Sequence, residues 1–434
     1  VSAKRIVKRA LASIAVGSAA ALVLFATLSL GHKPSPTPQL LGGRRASQAT
    51  GAGELRAGAA RVELSMPSRG PVAGYPMWRR DDGTGEPIFV RALVLEQGDL
   101  HAVVLSLPLL LVPGDLEEAI VHRASLGETD CLLAAATHTH SGPGGTWKNL
   151  LVEVGGNGWF KQARADAVAK AAADAIALAR QRLGPAHFAT GLETWTAGPA
   201  VPRSGEIDTG FAAARLLDSD NRTVASILIY AMHATVVPRS EHKLSGDWPE
   251  AAARQIEEVS DRAPALVLQG AEGSATFSRA QLPEDPIQAA EQLGGRIAAE
   301  GLRVISGGQL FRSSAPLSCT TRIAALPEPQ AGRAVWRPFR RAAGNLLRLY
   351  ADRSVVETTL ELPGLTLVGV PAEPVGGLAI AERRAHGGRA MLVGLADGYA
   401  GYVETPAHWQ NAEGESARTW YGPDLAAALG LTIP

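Results

Sequence analysis

The chain has 434 residues, enough for one large domain or two to three ordinary ones. Hydrophobic residues make up 46% and charged residues 19%, a globular composition that excludes disorder, while aromatics at 5% leave the core to Ala, Val, Leu and Ile. Net charge is zero but uneven: residues 1–45 hold Lys4, Arg5, Lys8, Arg9, Lys33, Arg44 and Arg45 and no acid. The remainder is therefore acidic, with no basic cluster, which argues against nucleic-acid binding. Cys131 and Cys319 are the only cysteines, too few for a disulfide framework or a Cys-rich metal site. One bridge is open to them; two buried free thiols are the expectation.

In chain order, four basic residues precede an uncharged stretch at 10–31. As a helix it spans about 33 Å, enough for a bilayer core. It is longer than the usual signal-peptide core and ends without a small-x-small cleavage site, so residues 1–31 are expected to form an uncleaved signal anchor. A cleaved signal peptide is the alternative. Either way the flanking positive charge predicts an inner-membrane protein whose body lies outside the cytoplasm, periplasmic or extracellular. Residues 32–57 are rich in Pro, Gly, Ser and Thr and read as a flexible tether to a catalytic domain at 58–434.

Within that domain strands are expected at 60–64, 89–95, 101–107, 131–137, 224–232, 265–269, 365–370 and 390–395, several of them continuous apolar runs. Helices are expected at 159–183, with Asn157 as N-cap, and at 247–259, where Asp247 and Glu250 have capping-box spacing. Further helices are expected at 286–305, 332–350, 375–386 and 424–429. The alternation predicts an α/β fold with a mixed central β-sheet flanked by helices.

Ligand-type residues follow four of the strands. The first runs into His138-Thr139-His140 and a Gly-rich turn. In extended chain the two rings face one side, roughly 7 Å apart. That suits two metal ligands, or one ligand and an acid/base group; a pair of half-exposed loop histidines is the bland reading. A second strand ends at His233, a third runs into Pro371-Ala372-Glu373, and a fourth leads to Asp397, Tyr399 and Tyr402. Two His, one Glu and an oxygen donor make a zinc set with room for a water.

The run Thr137-His138-Thr139-His140-Ser141-Gly142-Pro143-Gly144-Gly145 resembles the signature of the neutral/alkaline non-lysosomal ceramidases. Other segments resemble that family in the same order: residues 58–64, Pro202-Arg203-Ser204, Tyr230 to Thr235 with Ser245-Gly246-Asp247, Pro371-Ala372-Glu373, and Tyr399 to Val403 with Tyr421-Gly422-Pro423. The resemblance implies a zinc amidohydrolase that splits ceramide, or a related lipid-like amide, into fatty acid and amine. It implies His138, His233, Glu373 and Tyr402 as Zn2+ ligands, His140 as the acid/base group and Arg203 as an oxyanion or substrate contact. Seven Lys against 35 Arg suits a bacterial member from a GC-rich genome.

Three departures stand out. Where the family has its active-site serine, an ungapped match on Gln269 and Gly273 places Thr276; Ser274 fits only with a two-residue slip. Ala412 stands where the family has a tyrosine. The sequence ends at Pro434, without the family's C-terminal β-sandwich domain. These departures keep two other readings open: a zinc hydrolase of an ester or non-lipid amide, and a non-catalytic zinc-binding surface protein on the same scaffold.

Overall fold

The structure is a computed structural model that describes residues 46–434 except 68, 77, 78, 333, 334 and 336. The expected signal anchor at 1–31 and most of the tether lie outside the described residues. Among the described residues no helix is long and apolar enough to cross a membrane.

The α/β expectation holds, but the strands form three mixed five-stranded sheets rather than one central sheet. The first has the order Cys131–Ala136, Leu100–Leu107, Phe89–Gln97, Arg56–Glu63, Gly184–Pro185. The second runs Ala265–Gln269, Thr223–Tyr230, Gly210–Leu217, His187–Thr194, Gln309–Leu310. The third runs Ser47–Thr50, Ser318–Ala325, Ser354–Leu362, Leu365–Val370, Ala390–Gly394. In each sheet one edge pair is parallel and the other pairings are antiparallel.

The period of two along each strand explains the layering. Leu132, Ala134 and Ala136 face an outer core against the helices Gly114–Arg123 and Gln162–Gln181, whereas Cys131, Leu133 and Ala135 face inward. Ile227 and Ile229 face the same inner core, and Leu228 and Tyr230 face the helices Asp247–Glu258 and Pro286–Ser306. Leu367, Met391 and Val393 of the third sheet complete the inner core. A strand with apolar residues on both faces reads the same whether its sheet lies between helices or packs on other sheets. The sequence pattern therefore carried the eight expected strands but not their division among sheets.

Three local expectations change. Ser47–Thr50, placed in the tether, is an edge strand paired with Ser318–Ala325, and Leu55 and Ala57 are buried, so folded structure already begins within the stretch assigned to the linker. A short polar strand carries no apolar period, which is why composition pointed to a linker. Asn157 does not cap the helix, which starts after Lys161. Asp247 and Glu250 form no capping box: Asp247 accepts from the Val237 and Trp248 amides, and Glu250 binds Arg91.

The cysteines are bonded to each other, contrary to the free-thiol expectation. The faces of the first and third sheets meet in the inner core, bringing the two Cα atoms to 6.2 Å, within disulfide reach. The bridge joins residues 188 apart in sequence. Cys131→Ala with Cys319→Ala is expected to lower unfolding free energy by about 2–4 kcal/mol. Urea unfolding of both proteins measures it; an unchanged midpoint refutes the contribution.

Candidate functional site

The parallel strands of the three sheets end at one place. Cys131–Ala136 leads to His138 and His140, Thr223–Tyr230 to His233, Ala265–Gln269 to Glu272, and Leu365–Val370 to Glu373. Cross-sheet hydrogen bonds hold these ends together. Gln269 Nε2 donates to Thr137 O at 2.8 Å, the His140 amide to Ala234 O at 3.0 Å and the Ala134 amide to Asp397 Oδ1 at 2.8 Å. Asp397 is thus a structural tie.

His138 is not extended: its φ of 60° is left-handed, a conformation worth about 1–3 kcal/mol of strain for a non-glycine residue. The turn brings the His138 and His140 ring centroids to 4.7 Å, closer than an extended His-x-His allows. His138 and His233 are buried, and His140 is partly exposed.

Each ring has a backbone carbonyl at Nδ1: Leu110 O for His138 at 2.8 Å, Gly74 O for His140 at 2.7 Å, Glu272 O for His233 at 2.8 Å. A carbonyl only accepts, so Nδ1 carries the proton and Nε2 presents its lone pair. Gly74 is obligatory, since with φ at +106° a Cβ there would lie 2.4 Å from His140 Cα.

The Nε2 atoms converge on Glu373. His138 Nε2 lies 3.3 Å from His140 Nε2 and 3.3 Å from Glu373 Oε2, and His233 Nε2 lies 3.4 Å from the same oxygen. Ligands bonded at 2.0–2.1 Å to a tetrahedral ion are separated by about 3.3–3.4 Å. Glu373 Oε2 is buried and accepts no hydrogen bond, while Oε1 accepts from Tyr399 OH at 2.7 Å. The Nε2 lone pairs of His138 and His140 and the unpartnered Glu373 oxygen face one another, so these donors fit a metal ion. The charges agree. Burial disfavours a proton on His138, but Glu373 outweighs it and raises the pKa. Burial likewise opposes ionisation of Glu373, yet His138 and His233 hold it well below the usual carboxylate range. Burial, then His138 and His233, push His140 well below its ordinary value.

Tyr402 OH lies 3.2 Å from His233 Nε2 and accepts from Arg203 Nη2 at 3.0 Å. Burial, then Glu373, raises its pKa well above the ordinary value. Arg203 Nη1 lies 3.0 Å from His233 Nε2, its Nη2 donates to Gly273 O at 3.0 Å, and its Nε donates to Glu415 Oε1 at 3.1 Å. Every residue expected to bind metal, with His140 and Arg203, is therefore in one cluster.

The two serine candidates separate. Ser274 is buried; its Oγ donates to Glu206 O at 2.6 Å and accepts from the Gly376 amide at 2.9 Å. That hydroxyl holds two loops together through both bonds. Thr276, partly exposed, lies opposite Val201 in a two-stranded ribbon that also carries Pro202 beside Arg203.

Sequence reading passed over four contributors. Glu415 fixes Arg203 and accepts from Ser204 Oγ. Arg79 donates to His140 O and to Ala73 O, and its guanidinium stacks on Tyr75, whose ring meets His140 edge-on at 5.3 Å. Glu272 follows a buried strand as Glu373 does, a signal that was available in the sequence.

Residues 71–281 match the N-terminal region of the neutral/alkaline non-lysosomal ceramidases. The fold is similar to the crystal structure of neutral ceramidase from Pseudomonas aeruginosa, with a TM-score of 0.72 and 19% identity over 87% of this chain and 73% of that one. It is equally similar to a ceramidase complexed with C2, with a TM-score of 0.72 and 18% identity over 87% and 74% of the two chains. No curated protein sequence matches the chain.

Proposed function

We propose, from the premise that this chain is a distant relative of the neutral/alkaline non-lysosomal ceramidases, that it is a zinc-dependent hydrolase of an N-acyl amide carried by a lipid-like substrate, ceramide or a close analogue. The observation that carries this reading is the convergence of His138 Nε2 and His233 Nε2 on one unpartnered Glu373 oxygen, at the 3.3 and 3.4 Å of a tetrahedral edge. His138, His233, Glu373 and Tyr402 would hold the ion. When bound, zinc acidifies a water and polarises a carbonyl.

The remaining work falls to the side chains. Amide hydrolysis joins a water oxygen to the acyl carbon, breaks the C–N bond and delivers a proton to the departing nitrogen. His140 suits the proton transfers. Its Nδ1 proton is tied to Gly74 O, its Nε2 is free to accept, and it is the one histidine of the three that is partly exposed. Arg203 sets a fixed positive charge toward the developing oxyanion, held in place by Glu415 and Gly273 O. Thr276 orients substrate by one hydrogen bond. We also propose that the body works outside the cytoplasm, anchored through 1–31. The basic-then-apolar N-terminus and the Cys131–Cys319 bridge support that location.

Purified protein loaded with zinc should release fatty acid from N-acyl sphingoid bases in a panel that also holds N-acyl amino acids and acyl esters. Turnover of esters or non-lipid amides alone would favour the second reading, which Thr276 in place of serine motivates. No turnover at all with metal bound would favour a non-catalytic protein. On the best substrate, Thr276→Ala should lower kcat/KM about three- to tenfold, the worth of one hydrogen bond. His140→Ala should cost about a hundredfold or more. Equal loss in both variants, or a burst of acyl-enzyme, would show a side-chain nucleophile instead.

A further inference from the structure

The ligand set implied by family resemblance holds one carboxylate. The structure brings a second to the same place. Glu272 is fully buried, and neither of its carboxylate oxygens has a hydrogen-bond partner. A ligand atom of Glu272 lies within 4.8 Å of those of His138 and Glu373. Its own backbone carbonyl holds the His233 Nδ1 proton, so the side chain is rooted in the site's framework. Gly394, at the end of a third-sheet strand, makes room for it: a Cβ there would lie 2.7 Å from Glu272 Oε2.

A buried carboxylate without donors is costly in any state that lacks a cation. Ionised, it is an unpaired charge; protonated, its hydroxyl has no acceptor. Arg203, the guanidinium whose charge acts on Glu272, is already engaged by Glu415, Tyr402 and Gly273 O. A dication among His138, Glu373 and Glu272 resolves both problems.

We propose that Glu272 is a direct ligand of the metal bound at this site, giving a donor set with two carboxylates. This rests on the reading of the site as a metal centre. Two carboxylates neutralise a dication that one leaves positive. Added oxygen donors also improve the fit for harder ions, so the site's preference for Zn2+ over Mn2+ is narrower than that of a site with one carboxylate.

The test uses the full chain, stripped of metal and titrated with Zn2+, Mn2+ and Co2+ alone against a competing chelator. Glu272→Gln keeps shape and removes charge. It should weaken Zn2+ binding at least tenfold, as even outer partners of ligands are worth about 10–100-fold. It should weaken Mn2+ binding further and alter the visible absorption of bound Co2+. Glu272→Asp should recover part of the affinity. Glu272→Gln with wild-type affinities and Co2+ spectrum overturns the proposal. Should Glu272→Gln fail to fold, anomalous diffraction from Zn2+-loaded wild type decides: an ion with neither Glu272 oxygen within about 2.6 Å overturns it. Failure of the metal-centre reading looks different, because wild type and Glu373→Gln would then both bind no ion.

Discussion

Replacing His138 or His233 by alanine is expected to leave the protein folded and nearly free of metal. Each ring supplies an Nε2 lone pair whose direction is set by a carbonyl at Nδ1, from Leu110 for His138 and from Glu272 for His233. Loss of an outer partner alone costs about 10–100-fold in metal affinity, so loss of the ligand itself should cost more than about a hundredfold. Activity should fall with occupancy. Glu373→Gln should do the same for a different reason, since it keeps an oxygen but removes the charge that draws a cation to the buried cluster. Elemental analysis after dialysis, with kcat/KM at saturating zinc, separates occupancy from chemistry. Full zinc occupancy in both histidine variants would refute the ligand assignment.

Much of this site could be read before the fold was known, and the reason is local. His138, His233 and Glu373 each follow a continuous apolar strand, and strand ends are where α/β sheets gather their chemistry. What sequence could not supply was distance. Nothing in residues 131–140 says that His138 turns left-handed and brings its ring to 4.7 Å from that of His140, instead of the roughly 7 Å of an extended pair. Nothing short of a sheet assignment brings residue 272 beside residue 373. Glu272 follows a buried strand as Glu373 does, but in a segment whose resemblance to the family points to a hydroxyl, Ser274 or Thr276. The strands His187–Thr194, Gly210–Leu217, Ser318–Ala325 and Ser354–Leu362 were missed for another reason. All four lie inside their sheets and draw on neighbours for stability, so weak alternation suffices there. The cysteine pair shows the same limit: partners 188 residues apart meet only because two sheets share a core.

The largest expected loss of stability comes from a group remote from the chemistry. Arg91, on a strand of the first sheet, is buried and donates Nη2 to Glu250 Oε1 at 2.6 Å, Nη1 to Glu250 Oε2 at 2.9 Å and Nε to Glu257 Oε1 at 2.7 Å. Both acids belong to the helix Asp247–Glu258, which packs on the second sheet. Arg91 therefore ties the sheet that carries His138 to the helix behind the sheet that carries His233. Arg61, on the neighbouring strand, also reaches Glu257 but is more exposed. Arg91→Met should cost about 3–5 kcal/mol or more, because it removes the cation shared by two buried carboxylates and leaves Glu257 with Arg61 and the Ala265 amide and Glu250 with the Phe89 amide. The pair as such need not stabilise the fold, since a neutral, well-packed substitute for a whole buried ion network is often as good. Arg91→Met combined with Glu250→Gln and Glu257→Gln should accordingly recover most of the loss. Urea unfolding of wild type, the single variant and the triple variant measures both effects. A triple variant no more stable than Arg91→Met would mean that the geometry of the fork, rather than compensation of charge, holds the two sheets in register.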